Sequence, residues 1–377
     1  MGIRQMLIGV AVVLLTTACE EVFEYELPQS RSFYMGFTPW PHDFTEDASD
    51  YTYSKISEHG DIICHHMDDG VPWPQAYEEK PYPVSVQAEI EKRLANTPTD
   101  KAVYLALTPL AMNRTEMAGF WNDEGSNVER TGEWASRNMD SPEAITAYLN
   151  YCRHMIDKFR PDYVAYGIEV NNWTDTEDET YQAFKVLTDT VYAALKAEYP
   201  DLPLFLTFQI VVTEADEETF DTVNEELLAY SDYVAVSTYP YWGFGPGDGD
   251  ADPSLIPAYW FTQMADLAPE KPFAVAENGY PAEDLRILSY GVNVNAKESW
   301  QAEYVHLMCE RMNELEAEFV VWFCVRDYDQ AWKDLKRAGF EPWGKMWRDT
   351  GLYDGKGRPR QSLDVWSDWL ELPREDG

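Results

Sequence analysis

Eight short runs of β-forming residues recur along the chain, and most are followed by a stretch with helical periodicity. The runs are FYMGFTPW (33–40), DIICHH (61–66), AVYLALTP (102–109), YVAYGIEV (163–170), LPLFLTFQI (202–210), YVAVSTYP (233–240), FAVAENGY (273–280) and FVVWFCV (319–325). They are apolar nearly throughout rather than alternating, which suits parallel strands covered on both faces. Helical patterns lie between them. SPEAITAYLNYCRHMIDKFRP has Ser141 as N-cap, Pro142 in the first turn and Pro161 as stop, and PSLIPAYWFTQMADLA follows the sixth run. This alternation, with no second composition type, predicts an α/β fold: a single (β/α)8 barrel over residues 32–377. An open doubly wound sheet is the alternative, but no Gly-x-Gly-x-x-Gly or P-loop motif follows any strand.

In such a barrel the loops after the strands build the active face. Long connections follow several strands, at 67–83, 110–140, 241–252 and 326–361. The loops of this face hold Trp40, Trp73, Trp121, Trp134, Trp173, Trp242, Trp332, Trp343 and Trp347. A chain with 14 Trp and 24 Tyr has more aromatics than its core needs. Some are therefore expected on a surface that stacks against sugar rings, and about half of the loop tryptophans on the barrel rim. The formal charge of −38 repels phosphates and excludes nucleic acid as a partner.

The first residues read as a targeting segment. Arg4 precedes MLIGVAVVLL, an apolar stretch too short to span a bilayer comfortably, and LTTAC places small residues before Cys19. This resembles the lipobox of bacterial lipoproteins. It implies a signal peptide over 1–19, a lipid anchor on Cys19 as the sole membrane attachment, and an acidic tether over 20–31. The expected location is the outer membrane or cell surface, or else the periplasm or medium. Cys64, Cys152, Cys309 and Cys324 lack metal spacing and are expected as buried thiols, although export permits disulfides. His-x-His is absent, and GDGDAD (247–252) lacks the closing Glu of a calcium loop, so no metal or cofactor is expected.

Two carboxylates carry the chemistry. Glu169 ends the fourth run and Glu277 the seventh, with Asn171 and Asn278 close behind. A charge at the C-terminal end of a barrel strand points into the mouth, where burial without partners costs several kcal/mol. Two such groups suit retaining glycoside hydrolysis, in which one protonates the leaving oxygen and the other attacks the anomeric carbon. A structural ion pair with a nearby Arg is the plainer alternative.

YGIEVN, VSTYPYW and VAENGYP together resemble the clan A glycoside hydrolases, and most nearly the endo-β-1,4-galactanases of glycoside hydrolase family 53. The resemblance implies that Glu169 is the acid/base and Glu277 the nucleophile, with Tyr239 bonded to that nucleophile and Trp322 in the subsite floor. It also implies a β-linked polysaccharide or oligosaccharide as substrate, cleaved without a cofactor by a monomer. Two positions depart from the pattern. Ile168 stands where such enzymes place an Asn, and the second run ends in His65 and His66 where many carry an Arg. Further substrate-binding candidates are Trp40, His65, His66, Asn171, Trp173, Trp242, Asn278 and Arg326. Neighbours on a strand face opposite ways, so only one of His65 and His66 can face the barrel. Arg114, Arg137 and Arg326 offer either anion binding or ordinary ion pairs. A non-catalytic glycan-binding lipoprotein on the same barrel is the rival reading.

Overall fold

The computed structural model describes residues 23–210, 217–243 and 248–375. The barrel strands are β1 (Tyr34–Phe37), β2 (Ile62–Met67), β3 (Ala102–Leu107), β4 (Tyr163–Ala165), β5 in two pieces (Leu204–Phe205 and Thr207–Ile210), β6 (Val234–Thr238), β7 (Phe273–Asn278) and β8 (Phe319–Trp322). All pair in parallel. The sheet runs from Leu204–Phe205 through β4, β3, β2, β1, β8, β7 and β6 to Thr207–Ile210. Its two ends are the two halves of one run, so the sheet closes. The nine segments are thus eight staves, with the extra one made by a break at Leu206.

Helices flank the barrel. Helix Pro142–Phe159 starts at Ser141, whose hydroxyl accepts from the Ala144 amide, and stops at Arg160 in a left-handed conformation. Among the described residues no long helix follows β6. PSLIPAYWFTQMADLA folds into the short 3-10 turns Pro253–Leu255 and Ala265–Leu267. Pro257 lacks the amide that a continuous helix needs there.

Strand alternation divides the core. Ile62, Cys64, Tyr104, Ala106, Tyr163, Ala165, Phe205, Ala235, Ala274, Ala276, Phe319 and Val321 pack inside the barrel. Their neighbours Ile63, Leu105, Val164, Val236, Val275 and Val320 belong to the layer beneath the helices. The alternation slips just before each catalytic candidate. Ile168 joins Tyr163 and Ala165 inside, one residue out of step. The run expected to stay extended through Val170 therefore stops at Ala165, and Glu169 adopts a φ of 52°. Its amide donates to the side-chain Oγ1 of Thr207 on β5 at 2.8 Å instead of to a backbone carbonyl of that strand. In β7 the register against β6 shifts between Val275 and Glu277. Bulges re-aim side chains in this way beside active sites.

The signal segment and Cys19 lie outside the described residues. Of the stretch read as a tether, Tyr25 and Arg31 anchor on the barrel, while residues 26–29 between them are exposed. Tyr25 donates to Asp368 at 2.6 Å, and buried Arg31 pairs with Asp61 at 2.6 Å. The chain thus enters β1 at the barrel end opposite the mouth. Cys64, Cys152, Cys309 and Cys324 are buried free thiols, and no described helix is long and apolar enough to cross a membrane.

Candidate active site

The two glutamates meet through β6. Glu277 stands in register with Ser237, and the Ser237 hydroxyl donates to Glu169 Oε1 at 2.8 Å. Two residues on, Tyr239 donates its phenol to Glu277 Oε1 at 2.5 Å. One short segment therefore touches both carboxylates, from the side chains that alternation sends inward. Both glutamates are mostly buried, with side-chain exposures of 14% for Glu169 and 15% for Glu277.

Behind them runs a chain of charges. Arg114 Nε reaches Glu169 Oε2 at 3.1 Å, and its Nη2 reaches Asp68 Oδ2 at 2.8 Å. His66 faces Glu277 through Nδ1 at 3.2 Å and, more distantly, Asp68 through Nε2 at 3.9 Å. Burial alone would push the Glu277 pKa up, but His66 and Tyr239 hold it below the usual value. Burial works against a charged His66, yet Asp68, Cys64 and Glu277 raise its pKa well above the ordinary histidine range. Asp68 is likewise held low, with Arg114 and then His66 overcoming its burial. The site therefore presents an ionised Glu277 beside a protonated His66 at neutral pH.

The Glu277 side is aromatic. Trp347 lies edge-on to Tyr239 at 5.8 Å and to Phe323 at 6.4 Å, and Trp40 lies 5.8 Å from Phe323. Phe323, Trp40 and Trp347 are each only half-buried. The indole N–H groups of Trp40 and Trp347 are buried without a partner among the described residues.

Of the sequence candidates, Glu169, Glu277, Tyr239 and His66 come together, and Trp40 joins the aromatic wall. Others go elsewhere. Trp322 is fully buried under the helices, against Tyr304 and Trp366, with its N–H donating to Thr350. Alternation places Phe323, not Trp322, toward the mouth, since Phe319 and Val321 face inward. His65 also points outward, against Phe159 and 2.8 Å from Thr97 Oγ1, and burial lowers its pKa to about 3. Asn171 clamps β5, accepting from the Gln209 amide and donating to Gln209 O and Asn224. Trp173 is buried against Tyr181 and Phe184. Asn278 is buried and donates to Val321 O on β8. Arg326 contacts His42 and the Gly355 carbonyl and lies over Tyr51. The backbone of Trp242 lies in the short helix Pro240–Gly243, and its side chain falls outside the described residues.

Among the loop tryptophans, Trp73, Trp121, Trp134, Trp173 and Trp332 pack down as core, and Trp40, Trp343 and Trp347 stay half-exposed. Sequence reasoning did not single out Asp68, Ser237, Phe323 or Trp347 for the site. The first three share an inward face with His66, Tyr239 and Val321, two residues away in each case, so alternation carried the signal. Trp347 and Arg114 come from long loops, which carry no such period.

Asp327, Asp329 and Asp349 bring carboxylate oxygens within 4.8 Å of one another. Arg360 pairs with Asp327 at 2.5 Å and Arg348 with Asp349 at 2.5 Å, so cationic side chains already answer this cluster. A cavity of about 350 Å³ lies between residues 253–261 and helix Glu298–Glu314, and none of the site residues lines it.

No protein-family model matches the chain, and no curated protein matches it. Solved structures do. A GH5_18 protein from Streptomyces cattleya in complex with GlcNAc is similar with a TM-score of 0.61 at 16% identity, over 92% of this chain and 83% of that one. The exo-β-1,4-mannosidase Op5Man5 from Opitutaceae bacterium strain TAV5 gives 0.61 at 15% identity, over 90% and 59%. The Ignisphaera aggregans GH53 catalytic domain gives 0.51 at 18% identity, over 83% and 85%. The class this defines is the (β/α)8 barrel in the form that glycoside hydrolases use. At such identities the likeness establishes the fold, and the chain is divergent within it.

Proposed function

We propose that the protein is a retaining glycoside hydrolase acting on β-linked oligosaccharides or polysaccharides. The observation that carries this is the joint hold of Ser237 and Tyr239 on two carboxylates at the mouth of the barrel. Glu277 attacks the anomeric carbon. It is kept ionised by His66 and Tyr239, which suits a nucleophile. Glu169 gives its proton to the leaving glycosidic oxygen and later takes one from the attacking water. The sugar being transferred lies against the half-exposed aromatic wall of Phe323, Trp40 and Trp347. The similar exo-β-1,4-mannosidase supports a β-linked glycan as the substrate class, and the GlcNAc complex supports a sugar ligand.

The test is hydrolysis of a panel of β-linked oligosaccharides and 4-nitrophenyl β-glycosides, with the first-formed anomer read by proton NMR. The β-anomer is expected as first product. An α-anomer would mean inversion, and full activity in both Glu169→Gln and Glu277→Gln would remove the assignment. We also propose that Cys19 carries a lipid. Because Arg31 is buried where the chain enters β1, at the barrel end opposite the mouth, the mouth would then face away from the membrane. Incorporation of an alkyne fatty acid that Cys19→Ala abolishes is the expected result.

A further inference from the structure

Asp68 stands one residue past β2 and meets the charged partners of both glutamates through a single oxygen. Its Oδ2 lies 2.8 Å from Arg114 Nη2 and 3.9 Å from His66 Nε2. Those side chains reach on to Glu169 at 3.1 Å and to Glu277 at 3.2 Å. The result is one line of alternating charge from one carboxylate to the other. Arg114 enters it from a left-handed backbone position at a φ of 61°, a strained placement for a long side chain. Asp68 Oδ1 and Arg114 Nη1 are buried without a partner among the described residues. Leaving a carboxylate oxygen and a guanidinium nitrogen unpaired is costly, so a link kept for stability alone would not be built this way.

The other ionisable groups beside this line are neutral or committed. Burial pushes up the pKa values of Cys64 and Tyr104 inside the barrel and of Tyr239 and Tyr241 after β6, so all four keep their protons at neutral pH. Arg93 donates to the His66 carbonyl, and its charge is met by Glu89 at 2.7 Å and Asp69 at 3.8 Å. The charge of the line can then be followed through the reaction. Before it, Arg114 and His66 balance Asp68 and the ionised Glu277, with the proton on Glu169. Glu277 then bonds the anomeric carbon, the glycosidic bond breaks, and the Glu169 proton leaves with the departing oxygen. Glu277 is now a neutral ester and Glu169 a carboxylate, so the same two cations again face two anions. Attack by water, with its proton returned to Glu169 and the ester bond broken, restores the first state.

We infer that Asp68 is a positioning residue that couples the two glutamates: it holds Arg114 and His66 together, so that the site keeps a constant net charge while the anion passes from Glu277 to Glu169. The inference rests on the proposed roles of those glutamates. A buried line of alternating ions favours moving a charge along it over adding or removing one. Asp68 is the member between the cations. Without it they repel each other and act unopposed on both carboxylates.

The test is the pH dependence of kcat/KM, from about pH 4 to 9, on the β-linked oligosaccharide of the panel that the intact protein turns over fastest. Asp68→Asn keeps the shape of the side chain and removes its charge. Both limbs of the profile should move to lower pH by about one unit or more, because ionised carboxylates and a neutral His66 are then favoured. Arg114→Gln removes a cation instead, so both limbs should move to higher pH. In the double variant the opposing shifts should largely cancel, although each single variant costs rate. A purely structural tie would lower the rate or the melting temperature with the limbs unmoved. That result overturns the inference, and so do shifts of the same sign in the two single variants. If Asp68→Asn does not fold, the direction of the Arg114→Gln shift decides alone. Full turnover in Glu277→Ala would remove the catalytic reading itself, whereas turnover lost there with unmoved limbs in Asp68→Asn removes only the coupling.

Discussion

The two sides of the mouth solve different problems. Glu277 stands within β7, beside a phenol one residue past the end of the adjoining β6 and a histidine from β2, so its partners sit on or next to the barrel frame. Glu169 sits beyond the end of β4 in a left-handed turn, and its charged partner, Arg114, comes from a long loop and is itself at a φ of 61°. A nucleophile must remain charged and in line. An acid/base must change its protonation twice per turnover and meet leaving groups of varied shape. The frame fixes the first, and the loops adapt the second.

The largest effects break this comparison outright. Glu277→Ala removes the attacking group, and turnover should fall by on the order of 10⁴-fold or more on every substrate. Added azide should restore part of it with an inverted glycosyl azide as product, which Glu169→Ala cannot yield by the same route. Glu169→Gln should cost roughly 10²–10⁴-fold with a sugar leaving group and much less with an activated aryl group that needs no proton. Equal losses on both leaving groups would mean that the roles have been exchanged.

The sequence showed this division unevenly. The eight staves and both glutamates were legible, because parallel strands impose an apolar pattern and a charge at its end stands out. Alternation then distinguishes His66 from His65 and Phe323 from Trp322, once it is counted from an inward-facing residue such as Cys64 or Phe319. It failed at Glu169, where the bulge after Ala165 breaks the period. The Arg114–Asp68 link was not legible either, since it depends on how a loop of some thirty residues (110–140) returns to the barrel. Asn171 misled for a related reason. An Asn beside a catalytic residue looks like a ligand group, but a bulged strand needs its amide to hold the neighbouring chain.

Hydroxyl donors sharpen the contrast at a smaller scale. Tyr239→Phe removes a charge-assisted hydrogen bond of about 1.5–3 kcal/mol, so kcat should drop roughly 10–150-fold with KM little changed. Ser237→Ala removes a bond to Glu169 that Arg114 partly covers, and a loss of about tenfold or less is expected. If Ser237→Ala proved the more damaging, the frame-held carboxylate would be the less sensitive of the two, and the comparison would fail.

The smallest effect concerns two adjacent histidines that the barrel wall separates. His66 has a raised folded-state pKa, so its contribution to stability is complete below 6.5 and is lost as pH rises through that higher value. His65 has its pKa lowered to about 3 by burial, so its contribution is complete above 6.5 and is lost as pH falls from there toward 3. Glu277 and Asp68, with depressed pKa values, add their own loss only further down, below their ordinary 4.5 and 3.8. Melting temperature against pH should therefore fall on both sides of neutrality. In His65→Leu the decline between pH 6.5 and 5 should flatten by on the order of a few degrees, while the alkaline decline stays. In His66→Gln the alkaline decline should weaken instead. Identical profiles for the two variants would mean that both rings share one environment, which the outward contact of His65 with Phe159 and the inward contact of His66 with Glu277 do not allow.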